Sequence, residues 1–158
     1  MSFSLTRKTD YALVALSRLA KERKGENRPL SARQLADEYQ LPLPLLMNVL
    51  KELHRAGILS SRRGSNGGYS LVSLPENISL RHIIEVLEGP VNIALCSDAG
   101  HQENEEDCPS CTIMNCCPIS DPIQRLNGML QHFLERISLA DLTTLESNLP
   151  LAGLGVRV

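Results

Sequence analysis

The stretch ILSSRRGSNGGYSLVSL, residues 58–74, decides the fold. Two short runs, Ile58 to Arg62 and Tyr69 to Leu74, flank Arg63-Gly64-Ser65-Asn66-Gly67-Gly68, so they predict a β-hairpin with a basic, glycine-rich tip. Immediately upstream, Leu46, Val49, Leu50 and Leu53 recur at helical spacing until Gly57 stops the helix at its C′ position. The opposite face of that helix carries Pro44, Met47, Asn48, Lys51 and Arg55, side chains that a helix in a DNA major groove presents to bases and phosphates. Further upstream, Ser31 with Gln34 three residues later forms a capping-box pattern for a short helix through Leu35, Ala36 and Tyr39, and a turn follows at Gln40 to Pro42. Ala12, Ala15, Leu16 and Leu19 place a first helix over Thr9 to Lys24. Three helices followed by a basic hairpin predict a mainly α, winged helix-turn-helix fold. Arg62, Arg63, Ser65 and Asn66 at the hairpin tip then join Pro44, Met47, Asn48 and Lys51 as candidate DNA contacts. The glycines let the backbone come close, and arginines there suit a phosphate or a narrow minor groove.

Charge supports this division of labour. The net charge of −2 hides an asymmetry: residues 1–70 hold 12 Lys and Arg against six Asp and Glu, whereas residues 71–158 hold four against 12. The first half is the candidate nucleic-acid face. The start of the chain, MSFSLTRKTD, lacks an apolar segment, and the run Tyr11 to Leu16 is too short for a secretory signal or a membrane span. A cytoplasmic protein with no membrane partner is expected. Five cysteines in such a compartment point to metal ligands or redox thiols rather than a disulfide framework.

Beyond Pro75, Ser79 caps a fourth helix through Leu80, Ile83, Ile84 and Leu87, which Gly89-Pro90 ends. A long loop runs from about Val91 to Pro118. Asp121-Pro122 then opens a fifth helix in which Ile123, Leu126, Leu130, Phe133 and Ile137 alternate spacings of three and four, the seam of a coiled coil. The same helix of a second copy is the expected partner, giving a homodimer. Ser138 with Asp141 caps a last short helix. The expected organisation is thus a DNA-binding unit over 1–75, a connecting helix over 76–95, a cysteine-rich loop over 96–118, dimerisation and C-terminal helices over 119–148, and a loose tail over 149–158.

All five cysteines, Cys96, Cys108, Cys111, Cys116 and Cys117, fall within 22 residues of that loop. Thiolates bind soft or borderline metals, and the Cys108-x-x-Cys111 pair can reach one ion or one cluster. Structural zinc, an iron–sulfur cluster and a metal-free thiol switch all compete here. Adjacent Cys116 and Cys117 make a poor second zinc knuckle, whereas iron–sulfur clusters tolerate irregular spacing. Asp98, Glu103, Glu105, Glu106 and Asp107 make the segment too polar for buried, inert thiols. Of the four histidines only His101 lies in the loop. No nucleophile–base pair, phosphate-binding glycine loop or supported carboxylate pair is present, so an enzyme is not expected.

Four further motifs occur in a fixed order: T-D-Y-A-L at 9–13, R-R-G-S-N-G-G-Y at 62–69, V-L-E-G at 86–89, and C-P-I at 117–119 ahead of a helix that ends in S-L-A-D-L at 138–142. In this order the chain resembles the IscR and NsrR type of winged-helix, iron–sulfur regulators over nearly its whole length. The resemblance implies a homodimer that binds a palindromic double-stranded DNA operator through the third helix and the wing. It also implies a cluster, 2Fe-2S or 4Fe-4S, on three cysteines, which fall by position on Cys96, Cys111 and Cys117. The IscR-like members place a His three residues after the last cysteine, where this chain has Ser120. The NsrR-like members use an Asp of the first helix of the other subunit, which matches Asp10. Cys108 and Cys116 are additional candidates for the fourth ligand. Zinc in the same loop, a thiol-redox regulator and a winged-helix protein-interaction module are the alternatives. Iron–sulfur cluster assembly genes are the targets the resemblance implies.

Overall fold

A computed structural model describes residues 5–23, 27–64, 67–94 and 117–143. The chain forms α1 (Arg7–Arg23), α2 (Ala32–Tyr39), α3 (Leu43–Arg55), β1 (Leu59–Arg62), β2 (Gly68–Leu71), a 3-10 turn at Pro75–Asn77, α4 (Leu80–Glu88), α5 (Ser120–Arg136) and α6 (Leu139–Thr143). The expected helix starts are visible as hydrogen bonds. Ser31 Oγ accepts from Gln34 N (3.1 Å) while Gln34 Oε1 accepts from Ser31 N (2.8 Å), closing the capping box. Ser79 Oγ accepts from His82 N at the start of α4 (3.2 Å), and Ser138 and Asp141 exchange the equivalent bonds at α6. Gly57 takes φ +77° just past α3, the left-handed position its sequence context demands.

A main core joins α1, α2, α3, the hairpin and α6. Ala12, Ala15 and Leu16 of α1 pack with Leu35, Leu46, Leu50 and Leu53 of the helix-turn-helix, and Leu139 of α6 belongs to the same cluster. Each such leucine, moved from water to a closed interior, contributes about 1.5–3 kcal/mol. With no Trp and few aromatics, small α1 residues let the leucines of α3 approach closely. A smaller cluster holds Ile84 of α4 and Val91 against Leu134 of α5, with Leu130 and Phe133 alongside.

The hairpin is antiparallel, with Leu59 opposite Leu71 and Arg62 opposite Gly68. Its second strand ends at Leu71, short of the expected Leu74. Val72 N still donates to Ile58 O (3.1 Å), but the chain then turns into Pro75, leaving Val72 and Leu74 half exposed. Leu30 and Tyr69 exchange two backbone hydrogen bonds (2.8 and 2.9 Å), so the hairpin is tied to the segment leading into α2. A Cβ on Gly68 would lie 2.4 Å from the Leu30 carbonyl, which only glycine avoids. The close approach expected of the glycines is thus made here to the chain's own backbone.

Helix α5 departs from the expected seam. Ile137 is buried and Leu130 and Phe133 pack within the chain, but Leu126 is 53% exposed, and Asn127 takes its place inside at 5%. The cause is polar: Asn127 Oδ1 accepts from Ile93 N (3.1 Å), and Gln131 Nε2 donates to Val91 O (3.0 Å). Those bonds turn Asn127 inward in place of Leu126, and Ile119, Leu126 and Met129 are left outside.

Candidate nucleic-acid interface and cysteine segment

Helix α3 is held on three sides. Leu46, Val49, Leu50 and Leu53 face the core. On one flank Glu52 pairs with Lys8 of α1 (2.7 Å), and on the other His54 Nε2 meets Ser61 Oγ of β1 (3.1 Å). What remains outward is Pro44, Asn48, Lys51 and Arg55, and the helical period puts Met47 on the His54 side of that row and Leu45 on the Glu52 side. The outward positions that the helical period assigned to DNA are therefore the ones the fold exposes. No side chain caps the first turn of α3, where Pro42 and Pro44 replace polar capping residues. The free N–H groups of a helix start suit an anion such as a phosphate.

Lys51, Arg55, Arg62 and Arg63 are exposed and make no ion pair with any described residue. The contrast is Arg18, a guanidinium raised above its ordinary range by its bond to Glu22, against the opposing pull of burial, and by Glu38. Arg18 ties α1 to α2, whereas the cations on α3 and the hairpin have no such tie among the described residues. Arg33, exposed on the first turn of α2, is equally unpaired among the described residues. Ser65 and Asn66 lie outside the described residues.

The cysteine segment leaves α4 at a clamped point. The Glu88 carboxylate accepts hydrogen bonds from the hydroxyls of Thr6 and Thr9, and Lys8 Nζ donates to Leu87 O (2.9 Å). Burial pushes the Glu88 carboxyl up, but the two threonine hydroxyls, the Thr6 backbone and the charge of Lys8 together hold it below its ordinary value. The T-D-Y-A-L and V-L-E-G motifs thus meet through Thr9 and Glu88. This clamp also explains why α1 begins at Arg7, two residues before the expected Thr9. Asp10, the next residue, is exposed on α1. Residues 91–93 then run along α5 under Asn127 and Gln131, and the chain returns at Cys117, a half-buried free thiol whose carbonyl accepts from Ser120 N (3.3 Å). Of the candidate ligands, Cys117 and Asp10 are described; Cys96, Cys108, Cys111 and Cys116, with His101, lie outside the described residues. Among the described residues no group of three or more His, Cys, Asp or Glu is arranged around a metal.

A family model for Rrf2, an iron-dependent transcriptional regulator, matches residues 5–144. The chain belongs to the Rrf2 family. It is similar to the transcriptional repressor NsrR of Streptomyces coelicolor, at 28% identity over 153 residues and 97% of each chain. Among solved structures it resembles CymR, the global cysteine regulator of B. subtilis (TM-score 0.66, 26% identity, 90% of this chain and 97% of that one), and T. potens IscR (TM-score 0.63, 25% identity, 90% and 87%). The winged-helix architecture follows from these likenesses as well as from the hairpin and helix-turn-helix described above. Rrf2 proteins are transcriptional regulators and not enzymes, as the absence of a catalytic constellation in the sequence led one to expect. No helix of the described residues is long and apolar enough to cross a membrane.

Proposed function

We propose that this Rrf2 protein is a homodimeric repressor whose affinity for a palindromic double-stranded DNA operator is set by an iron–sulfur cluster held in the cysteine segment. The observation that carries the DNA part is the set of exposed cations without an ion pair among the described residues, Lys51 and Arg55 on α3 and Arg62 and Arg63 on the hairpin, on two elements joined by the His54–Ser61 contact. The dimer rests on Ile119, Leu126 and Met129, apolar and more than half exposed on the outer side of α5. Two such stripes related by a two-fold axis would cover each other.

The donor chemistry of the segment fits a cluster. Cys96, Cys111 and Cys117 are the proposed ligands, with Asp10, Cys108 or Cys116 completing the set. Chain reach supports the grouping: Ile93 is bonded seven residues along α5 from Ser120, about 10 Å of helix rise. The three further residues to Cys96 span at most ~10 Å, enough to bring it near Cys117. When bound, a cluster supplies chemistry that responds to iron, cluster supply, oxygen or nitric oxide. The chain's own part is connection: Glu88 joins the outbound end of the segment to α1, and Lys8 joins α1 to α3 through Glu52. A change in the segment that favours one arrangement of this route alters operator affinity only if the two arrangements bind DNA differently. Genes for iron–sulfur cluster assembly are the proposed targets.

Anaerobic purification followed by visible absorption and iron and sulfide analysis tests the cofactor. A brown protein that loses colour and iron in Cys96→Ala, Cys111→Ala and Cys117→Ala variants is expected. A colourless protein with one zinc per chain overturns the cluster in favour of structural zinc. Asp10→Ala should uncouple operator affinity from cluster state. Binding to genomic DNA fragments should fall steeply with salt; a flat response would point to protein interaction instead.

A further inference from the structure

We infer that the first outward turn of α3 selects thymine, through contact of Pro44 and Met47 with the thymine 5-methyl group, and that Asn48 beside them takes the paired or neighbouring adenine. The inference rests on the reading that α3 enters the major groove, and it names which base that helix prefers there.

Residues on α3 are spaced about 100° apart around its axis. The buried residues Leu46, Val49, Leu50 and Leu53 fix the inward direction, and Glu52 with Lys8 and His54 with Ser61 fix the two flanks. Pro44, Asn48, Lys51 and Arg55 then form one outward row, and Met47 lies about 60° from it on the hairpin side. Chemistry changes along this row: apolar at the start, an amide next, cations at the end. In helix-turn-helix proteins the N-terminal residues of the recognition helix meet base edges. Here those residues offer no hydrogen-bonding side-chain group until Asn48. Any base beneath Pro44 and Met47 loses water from its major-groove polar groups without a replacement, and only a base that also buries apolar surface there offsets that cost. Thymine alone presents a methyl group in the major groove. Asn48, one helical turn from Pro44, has the amide geometry that pairs with adenine N6 and N7.

Met47 is 38% exposed, an unusual placement for a methionine that could have gone inward. The surrounding surface bears unpaired Lys51, Arg55, Arg62 and Arg63, so the occupant of this apolar turn is one that brings dense negative charge with it. A DNA duplex meets both demands, a phosphate backbone on either side and methyl groups at the floor of the groove. Leu45 is also exposed, at 52%, but lies on the α1 flank away from this row and serves as a control.

The test begins with a duplex selected by the full-length protein from a randomised library. Each thymine of the half-site is then replaced by deoxyuridine, which keeps every hydrogen-bonding group and removes only the methyl. Loss of about fourfold in affinity is expected at one or two positions, the effect of one methyl group returned to water. In Pro44→Ala/Met47→Ala, and separately in Met47→Gln, the ratio of thymine to uracil affinity should fall to about one at those positions, with the salt dependence unchanged. Leu45→Ala should keep the wild-type ratio. Circular dichroism reports whether the variants fold, and Met47→Gln preserves side-chain length should the double variant not. If no uracil position weakens binding, or if the penalty persists in both variants, the thymine assignment is wrong while DNA binding stands. If the protein selects no duplex at all, it is the DNA reading of α3 that fails.

Discussion

Helices α3 and α5 both bury one stripe and leave apolar side chains outside, but the residues around those side chains differ. On α3, Met47 stands beside the outward row that carries Lys51 and Arg55, cations unpaired among the described residues, with Leu45 on the opposite flank. On α5, Leu126 and Met129 stand beside Asp121, Gln124, Arg125 and Gly128, a balanced and sparsely charged surface. Exposed hydrophobic surface is therefore ambiguous until its charged neighbours are counted. Cations around it suit a polyanion, whereas near neutrality with a small Gly128 suits a second helix.

Substitutions at adjacent positions of α3 sharpen this contrast most. Leu46→Ala, at a residue fully buried, should cost about 2–5 kcal/mol by chemical denaturation. Met47→Ala next to it should change stability by less than about 0.5 kcal/mol, and a large loss there would show that Met47 serves the core. The α5 side is broken by Leu126→Glu with Met129→Glu, which should weaken self-association at least about 100-fold in sedimentation, since two desolvated carboxylates replace apolar contacts. Retention of a dimer would move the interface off this helix. A third, intermediate effect is expected from Arg62→Ala with Arg63→Ala: a loss of about tenfold per contact in DNA affinity and a salt slope shallower by about two, with dimerisation untouched.

The smallest effect concerns pH. Glu88 titrates below its ordinary value in the folded chain, so its contribution to stability is complete above the unfolded-state value and is lost as pH falls through the lower, folded one. Asp141 behaves the same way, held low by the Ser138 hydroxyl and backbone despite some burial. Stability should therefore decline below about pH 4.5. Glu88→Gln should lower stability at neutral pH by less than about 1 kcal/mol, since solvent screens the exposed carboxylate, and flatten that decline, which urea titrations at several pH values would resolve.

What was legible in the sequence is what local chemistry controls. Ser31 with Gln34, Ser79 and Gly57 announced helix ends because caps act within one turn. The period of Leu46, Val49, Leu50 and Leu53 by itself places Lys51 and Asn48 on the outer face. Illegible were bonds between distant segments. Nothing near Glu88 signals Thr6 or Thr9, 82 and 79 residues away, and nothing in α5 signals that Asn127 would turn inward to hold Ile93. The cysteine ligands rest on resemblance and donor chemistry, since Cys117 alone of the five lies within the described residues.

The pairing of Leu30 with Tyr69 and the contact of Gly68 with the Leu30 backbone tie the hairpin to the segment that leads into α2. Through α2 and its short turn, the arginine tip stands at a set span from α3, like the jaws of a calliper. Such an instrument measures distance along the duplex as well as chemistry. An operator half-site lengthened by one base pair between the two contacts shifts one of them by about 3.4 Å and rotates it around the axis, and neither jaw can follow.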